Sequence, residues 1–116
     1  MKKEEFKNDL AQFTGTFQYH KLTLLPLLAT DGVEYFADKA EAFWLINDIA
    51  TITCLKLKNE PFIVVKAKSE NNKAVVEYED GDYNPLFKQK YDYTDLIPGE
   101  WKFFVYNNVI MLPSEY

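Results

Sequence analysis

Scarcity bounds this chain before any motif does. It has one cysteine, Cys54, which excludes an intramolecular disulfide and a multi-cysteine metal site and fits the reducing interior of a cytoplasm. Its four glycines, Gly15, Gly32, Gly81 and Gly99, stand alone, and none opens a phosphate loop or a dinucleotide-binding turn. No uninterrupted apolar run is long enough for a signal core or a membrane span, so neither export nor anchoring is expected. Basic side chains are outnumbered, 13 against 18 acidic ones, and the net charge of −5 has the wrong sign for binding a phosphate backbone. Direct nucleic-acid binding is not expected, and no cofactor or metal is implied.

Aromatic residues, in contrast, are plentiful. Phe, Tyr and Trp make up 16% of 116 residues, so large rings should supply much of the buried area. A chain of this length suits one domain, residues 1–116, burying roughly two-thirds of the surface its unfolded form exposes.

The apolar spacing changes period along the chain. Phe6, Leu10 and Phe13 recur at helical spacing with Glu4 and Glu5 in the first turn, which predicts a short amphipathic helix stopped near Gly15 in a left-handed conformation. The run from Phe17 to Leu28, interrupted by Pro26, is consistent with strand, helical turn or buried loop. Asp31 with Glu34 three residues later reads as a capping box opening a second helix. The same spacing at Asp38 and Glu41 marks a re-initiated or kinked continuation. There Ala42, Leu45, Ile46, Ile49 and Ile52 form one stripe, leaving Asn47, Asp48 and Thr51 to face water.

From Pro61 the period is two. Residues 62–68 and 74–79 alternate as two antiparallel strands around a turn at Asn71-Asn72, and Phe87, Tyr91 and Tyr93 mark a third. Two apolar runs flanking Asn107-Asn108 form a terminal hairpin. Helices first and strands later predict a two-layer α+β fold, with N-terminal helices packed on a four- to five-stranded antiparallel sheet.

Six short motifs carry a resemblance: Phe13-Thr14-Gly15-Thr16, Tyr19-His20, Thr30-Asp31-Gly32-Val33, Ala42-Phe43-Trp44-Leu45-Ile46 with Asp48-Ile49-Ala50, Tyr93-Thr94-Asp95, and the terminal Met111-Leu112-Pro113-Ser114-Glu115-Tyr116. In that order and spacing the chain resembles a family of small uncharacterised bacterial proteins, also carried by phages and plasmids, with no assigned activity. The resemblance transfers no catalytic residue. It implies a mobile-element context, in which small acidic proteins bind and block a larger host machine such as a bacterial defence complex of the CRISPR or restriction type.

Candidate sites follow from the rarer residue types. His20 and Cys54 could form a nucleophilic pair, but a small buried thiol and a locally satisfied histidine explain them more simply. Asp80-Gly81-Asp82 lacks the twelve-residue ligand spacing of a calcium loop and reads as turn chemistry. Exposed aromatic and acidic residues at Glu77, Glu79, Asp80, Asp82 and Tyr83 would suit a protein partner with a basic surface. The expected function is thus a non-enzymatic protein-binding module. The rival is a small enzyme or ligand-binding protein in which Tyr19, His20, Asp31 and Asp95 converge on a pocket between helices and sheet. Self-association through an edge strand, giving a homo-oligomer, is a third expectation.

Overall fold

Where the sequence period is near 3.6 the computed structural model has helices, and where it is two it has strands. The structure describes residues 2–22 and 26–116, so the Thr23–Leu25 part of the ambiguous run lies outside the described residues. Helix α1 spans Lys3–Ala11, α2 Asp31–Lys39 and α3 Phe43–Lys56. The strands are β1 His20–Lys21, β2 Leu28–Ala29, β3 Phe62–Glu70, β4 Lys73–Asp80, β5 Pro85–Tyr91, β6 Gly99–Tyr106 and β7 Val109–Met111, followed by a 3₁₀ turn at Pro113–Glu115.

The strands form one sheet in the order β1-β2-β7-β6-β3-β4-β5. Among the described residues it has seven strands, not the expected four or five. The two extra strands come from the ambiguous run, where two-residue segments pair with each other, and β2 pairs parallel with β7. Such short segments carry no period of their own and become strands only because the terminal hairpin offers β7 as a partner. The hairpins at Asn71-Asn72 and Asn107-Asn108 turn on asparagines with φ of +54° to +62°, the conformation this residue tolerates best.

Alternation sorts each long strand into two faces. Ile63, Val65 and Ala67 of β3 lie level with Val76 and Tyr78 of β4 and with Trp101, Phe103 and Val105 of β6, all buried. Phe6 of α1 and Phe36 of α2 stack at 5.5 Å, and both reach Trp101, while Phe36 also meets Phe103 edge-on at 5.0 Å. Trp44 of α3 packs on Tyr91 of β5 at 5.2 Å.

Local expectations are corrected in three places. Gly15 is not left-handed: α1 ends at Gln12 in right-handed geometry. The cap of α2 is Thr30, whose hydroxyl accepts from the Val33 amide at 3.4 Å, with Asp31 occupying the first helical position. Asp48 does not face water alone, since it accepts a 2.7 Å hydrogen bond from the Tyr91 hydroxyl; burial, and after it this bond, pushes that hydroxyl's pKa up. The break between α2 and α3 is set by Glu41, at φ +52°. Among the described residues no helix is long and apolar enough to cross a membrane.

Candidate functional site

A helix start exposes amides that need acceptors and attracts negative charge. At α2 two carboxylates stand at this start, Glu115 from the far end of the chain and Asp31 from the helix's own first position. Glu115 takes a 2.5 Å hydrogen bond from the Thr30 hydroxyl, one from the Gly32 amide at 3.1 Å and one from the Leu112 amide at 2.9 Å. It fits because residue 32 is glycine: a Cβ there would lie 2.6 Å from the Glu115 carboxylate and from the Leu112 methyl. The terminal 3₁₀ turn is thereby latched to the second helix.

Asp31 turns the other way. Its carboxylate accepts from the Phe17 amide at 2.8 Å and meets His20 Nε2 at 2.8 Å, while its own amide donates to the Thr16 hydroxyl at 2.9 Å. The His20 ring, and after it the Phe17 amide, hold the Asp31 carboxyl below the usual carboxylate range. The 16–20 segment is therefore tied down at both backbone and side chain. Yet it presents Phe17 fully to solvent and Tyr19 more than half so. Phe43, at the start of α3, is also exposed, and with Tyr19, His20, Glu34 and Asn47 it lines an open depression.

Chemically, a histidine held by a carboxylate is two-thirds of a nucleophile-activating arrangement. The nearby hydroxyl of Thr16 is committed, donating to the Gln18 carbonyl at 2.5 Å and accepting from Asp31. Cys54 lies in the last turns of α3, beside Pro26, Leu57 and the β6–β7 turn, so the structure does not bring it to His20. Among the described residues no three His, Cys, Asp or Glu side chains gather as a metal site.

Of the rival pocket, Tyr19, His20 and Asp31 do come together, and Asp95 does not join them. It is exposed in the β5–β6 connection, next to Thr94, whose amide binds the Asn72 carbonyl at 2.8 Å, and β2, β7 and β6 intervene between β1 and β3. The proposed acidic patch is divided. Glu77 and Glu79 lie on β4, 3.3 Å from Lys68 and 3.2 Å from Lys66, so much of their charge is answered within the sheet. Asp80 folds its own loop, accepting from the Asp82 and Asn84 amides at 2.8 and 2.9 Å. Asp82 and Tyr83 are exposed.

Sequence reasoning missed Phe17, Phe43, Thr16 and Glu115. The signal for Phe17 was present as a large ring between Thr16 and Gln18 in an otherwise polar, glycine-containing stretch. No local signal could have matched Glu115 to Gly32.

The fold and this latch define a small α+β domain whose second helix is held at its start by one remote carboxylate, Glu115. The chain belongs to a family of unknown function, DUF6876, whose model matches residues 4–116, in keeping with its resemblance to uncharacterised bacterial proteins. A crystal structure of a protein of unknown function from Enterococcus faecalis is similar, with a TM-score of 0.56 over 76% of this chain and 87% of that one. At 18% identity the likeness is one of fold alone. No curated protein matches the chain.

Proposed function

We propose that this chain is a non-enzymatic protein-binding module whose contact site is the 16–20 segment with Phe43. One observation carries the reading: Phe17 is fully exposed on a backbone that Asp31 and Thr16 hold in place. An exposed apolar ring costs solubility, and a pinned one is already ordered for binding, which spares the entropy of ordering a loop at the interface. Aromatic anchors of this kind dominate interface energies. The partner would offer an apolar pocket for Phe17 and Tyr19, rimmed by basic groups that complement Glu34 and the wider acidic surface. Helices gathered as one layer on one sheet face would give the segment a rigid base. In the context that the family resemblance suggests, the partner is a bacterial defence complex and the chain its inhibitor.

The test is affinity capture from a bacterial lysate with the wild-type chain, Phe17→Ala, and Tyr83→Ala with Asp82→Lys. A stoichiometric partner lost with Phe17→Ala and kept with the loop double variant supports the reading. Absence of any partner, or retention by Phe17→Ala, sinks it.

The His20–Asp31 pair favours a second reading, a small ligand held in the depression that Tyr19, His20, Glu34, Phe43 and Asn47 line. Ligand-induced changes in His20 ring resonances, abolished by Asp31→Asn, would support it.

A further inference from the structure

We infer that the sheet face turned away from the helical contacts is a self-association surface, covered in solution by a second copy of this chain. Three observations lead there. The first is apolar: on this face Phe62, Phe104 and Tyr106 from β3 and β6 gather with the ring of Tyr116, at centroid distances of 5.1 to 6.1 Å. Met111, opposite Phe104, continues the same corner, and Tyr106 and Tyr116 remain substantially exposed. An aromatic cluster assembled on a sheet surface, away from the buried row, marks an interaction site rather than scattered surface residues.

The second is charge. Strand register places six of the 13 basic residues on this face, Lys66, Lys68, Lys73, Lys88, Lys90 and Lys102. It also places four of the 18 acidic ones there, Glu70, Glu77, Glu79 and Glu100. The rest of the molecule is left with seven lysines against fourteen carboxylates, so contacts between two copies through the helical side meet strong mutual repulsion. Through the sheet face the charges are interleaved and nearly balanced, and mixed rows of both signs are compatible with an isologous, two-fold contact. Lys102 sits directly opposite Lys66, whose ammonium is engaged by Glu79, and a carboxylate from a second copy would relieve that like-charge pair.

The third is extent. Strands about 4.8 Å apart and residues rising about 3.3 Å make the four long strands a surface of about 500 Å² in projection. Side-chain relief raises this toward the roughly 800 Å² per partner of a standard interface. The exposed edge is the weaker route, because β5 begins at Pro85 and carries Lys88 and Lys90, features that blunt edge-to-edge pairing.

Light scattering coupled to size-exclusion chromatography tests this with the full chain. The expected mass at about 100 µM, a concentration at which a micromolar dimer is populated, is twice 13.6 kDa. Tyr106→Asp and, separately, Lys68→Glu with Lys102→Glu should each weaken the dimer at least tenfold while far-UV circular dichroism stays unchanged. Leu55→Asp, on the exposed side of α3, and Phe17→Ala should leave it intact. A monomer at every concentration overturns the inference, as does a dimer that survives both sheet-face variants or dissolves with Leu55→Asp. A monomer that binds single-stranded oligonucleotides through this face would overturn it in favour of nucleic acid. Because Phe17 lies on the other surface, loss of partner capture and loss of dimer are separable.

Discussion

Asp80 and the pair Asp31–Glu115 use one kind of chemistry at very different range. Asp80 accepts from the amides of Asp82 and Asn84 and from the Asn84 side chain, all within four residues. Asp31 reaches 11 to 14 residues back to His20 and Phe17, and Glu115 reaches 83 to 85 residues back to Gly32 and Thr30. A local carboxylate organises a turn that forms with little help from the fold. A remote one must offset the entropy of closing a long loop, so it holds only when the whole core is in place and in turn ties that core to a terminus. The Asp80 loop therefore shapes a surface, whereas the α2 junction couples the N-terminal segment, the second helix and the last residues.

Glu115→Ala should produce the largest effect. It leaves the Gly32 and Leu112 amides and the Thr30 hydroxyl without their acceptor in a partly buried site, at a cost of about 2–3 kcal/mol. Urea unfolding would show it as a lower midpoint at unchanged slope. An unchanged midpoint would mean that the latch is decorative and the comparison empty. Gly32→Ala should follow, at about 1–2 kcal/mol, because its Cβ would meet Glu115 and Leu112 at 2.6 Å and force both to shift. In the Glu115→Ala background the share of that cost owed to the carboxylate should vanish while the Leu112 contact remains, and a double-mutant cycle that came out additive would place the strain at Leu112.

The same difference in range explains what could be read from sequence. The turn at Asp80, the asparagine hairpins and the long strands β3, β4 and β6 were legible because each depends on neighbours or on a period. The start of α2 was legible to within one residue, but its cap was not: Thr30 and Asp31 both suit the role locally, and Glu115 arriving from the far end binds the Thr30 hydroxyl. Strands β1 and β2 were illegible because two residues show no alternation. For the candidate site, His20 stood out as the one histidine and Tyr19, Asp31 and Asp95 by their motif-like settings; the fold sets the first three side by side, whereas Asp95 lies in the β5–β6 connection. Glu77 and Glu79 suggested a free acidic surface because their lysine partners sit one strand away, which only register reveals.

Asp31→Ala should cost less stability than either change at the Glu115 latch, since the Phe17 amide that donates to it is exposed and can turn to water, but it should free the 16–20 segment. Amide exchange at Phe17 is the direct readout, and protection equal to wild type would break the link between this carboxylate and the presented ring. Its acid dependence has a definite sign. With the folded carboxyl held below its ordinary value, the stabilisation is complete above the usual carboxylate range near 3.8 and is lost as pH falls through the lower folded value. Asp31→Asn should flatten that part of the acid limb.

The smallest effect is expected from Asp80→Ala. The Asn84 side-chain amide, followed by the Asn84 backbone, draws the Asp80 carboxyl below its ordinary range, so it too contributes above that range and is lost on acidification. Its donors, however, are exposed amides that water can serve once the carboxylate is gone. The change should speed amide exchange at Asp82 and Asn84 without moving the urea midpoint or altering partner capture. If the loop variant instead unfolded the domain as readily as Glu115→Ala, hydrogen-bond range would not be what separates the two carboxylate sites, and the acidic loop would have to be treated as part of the structural frame.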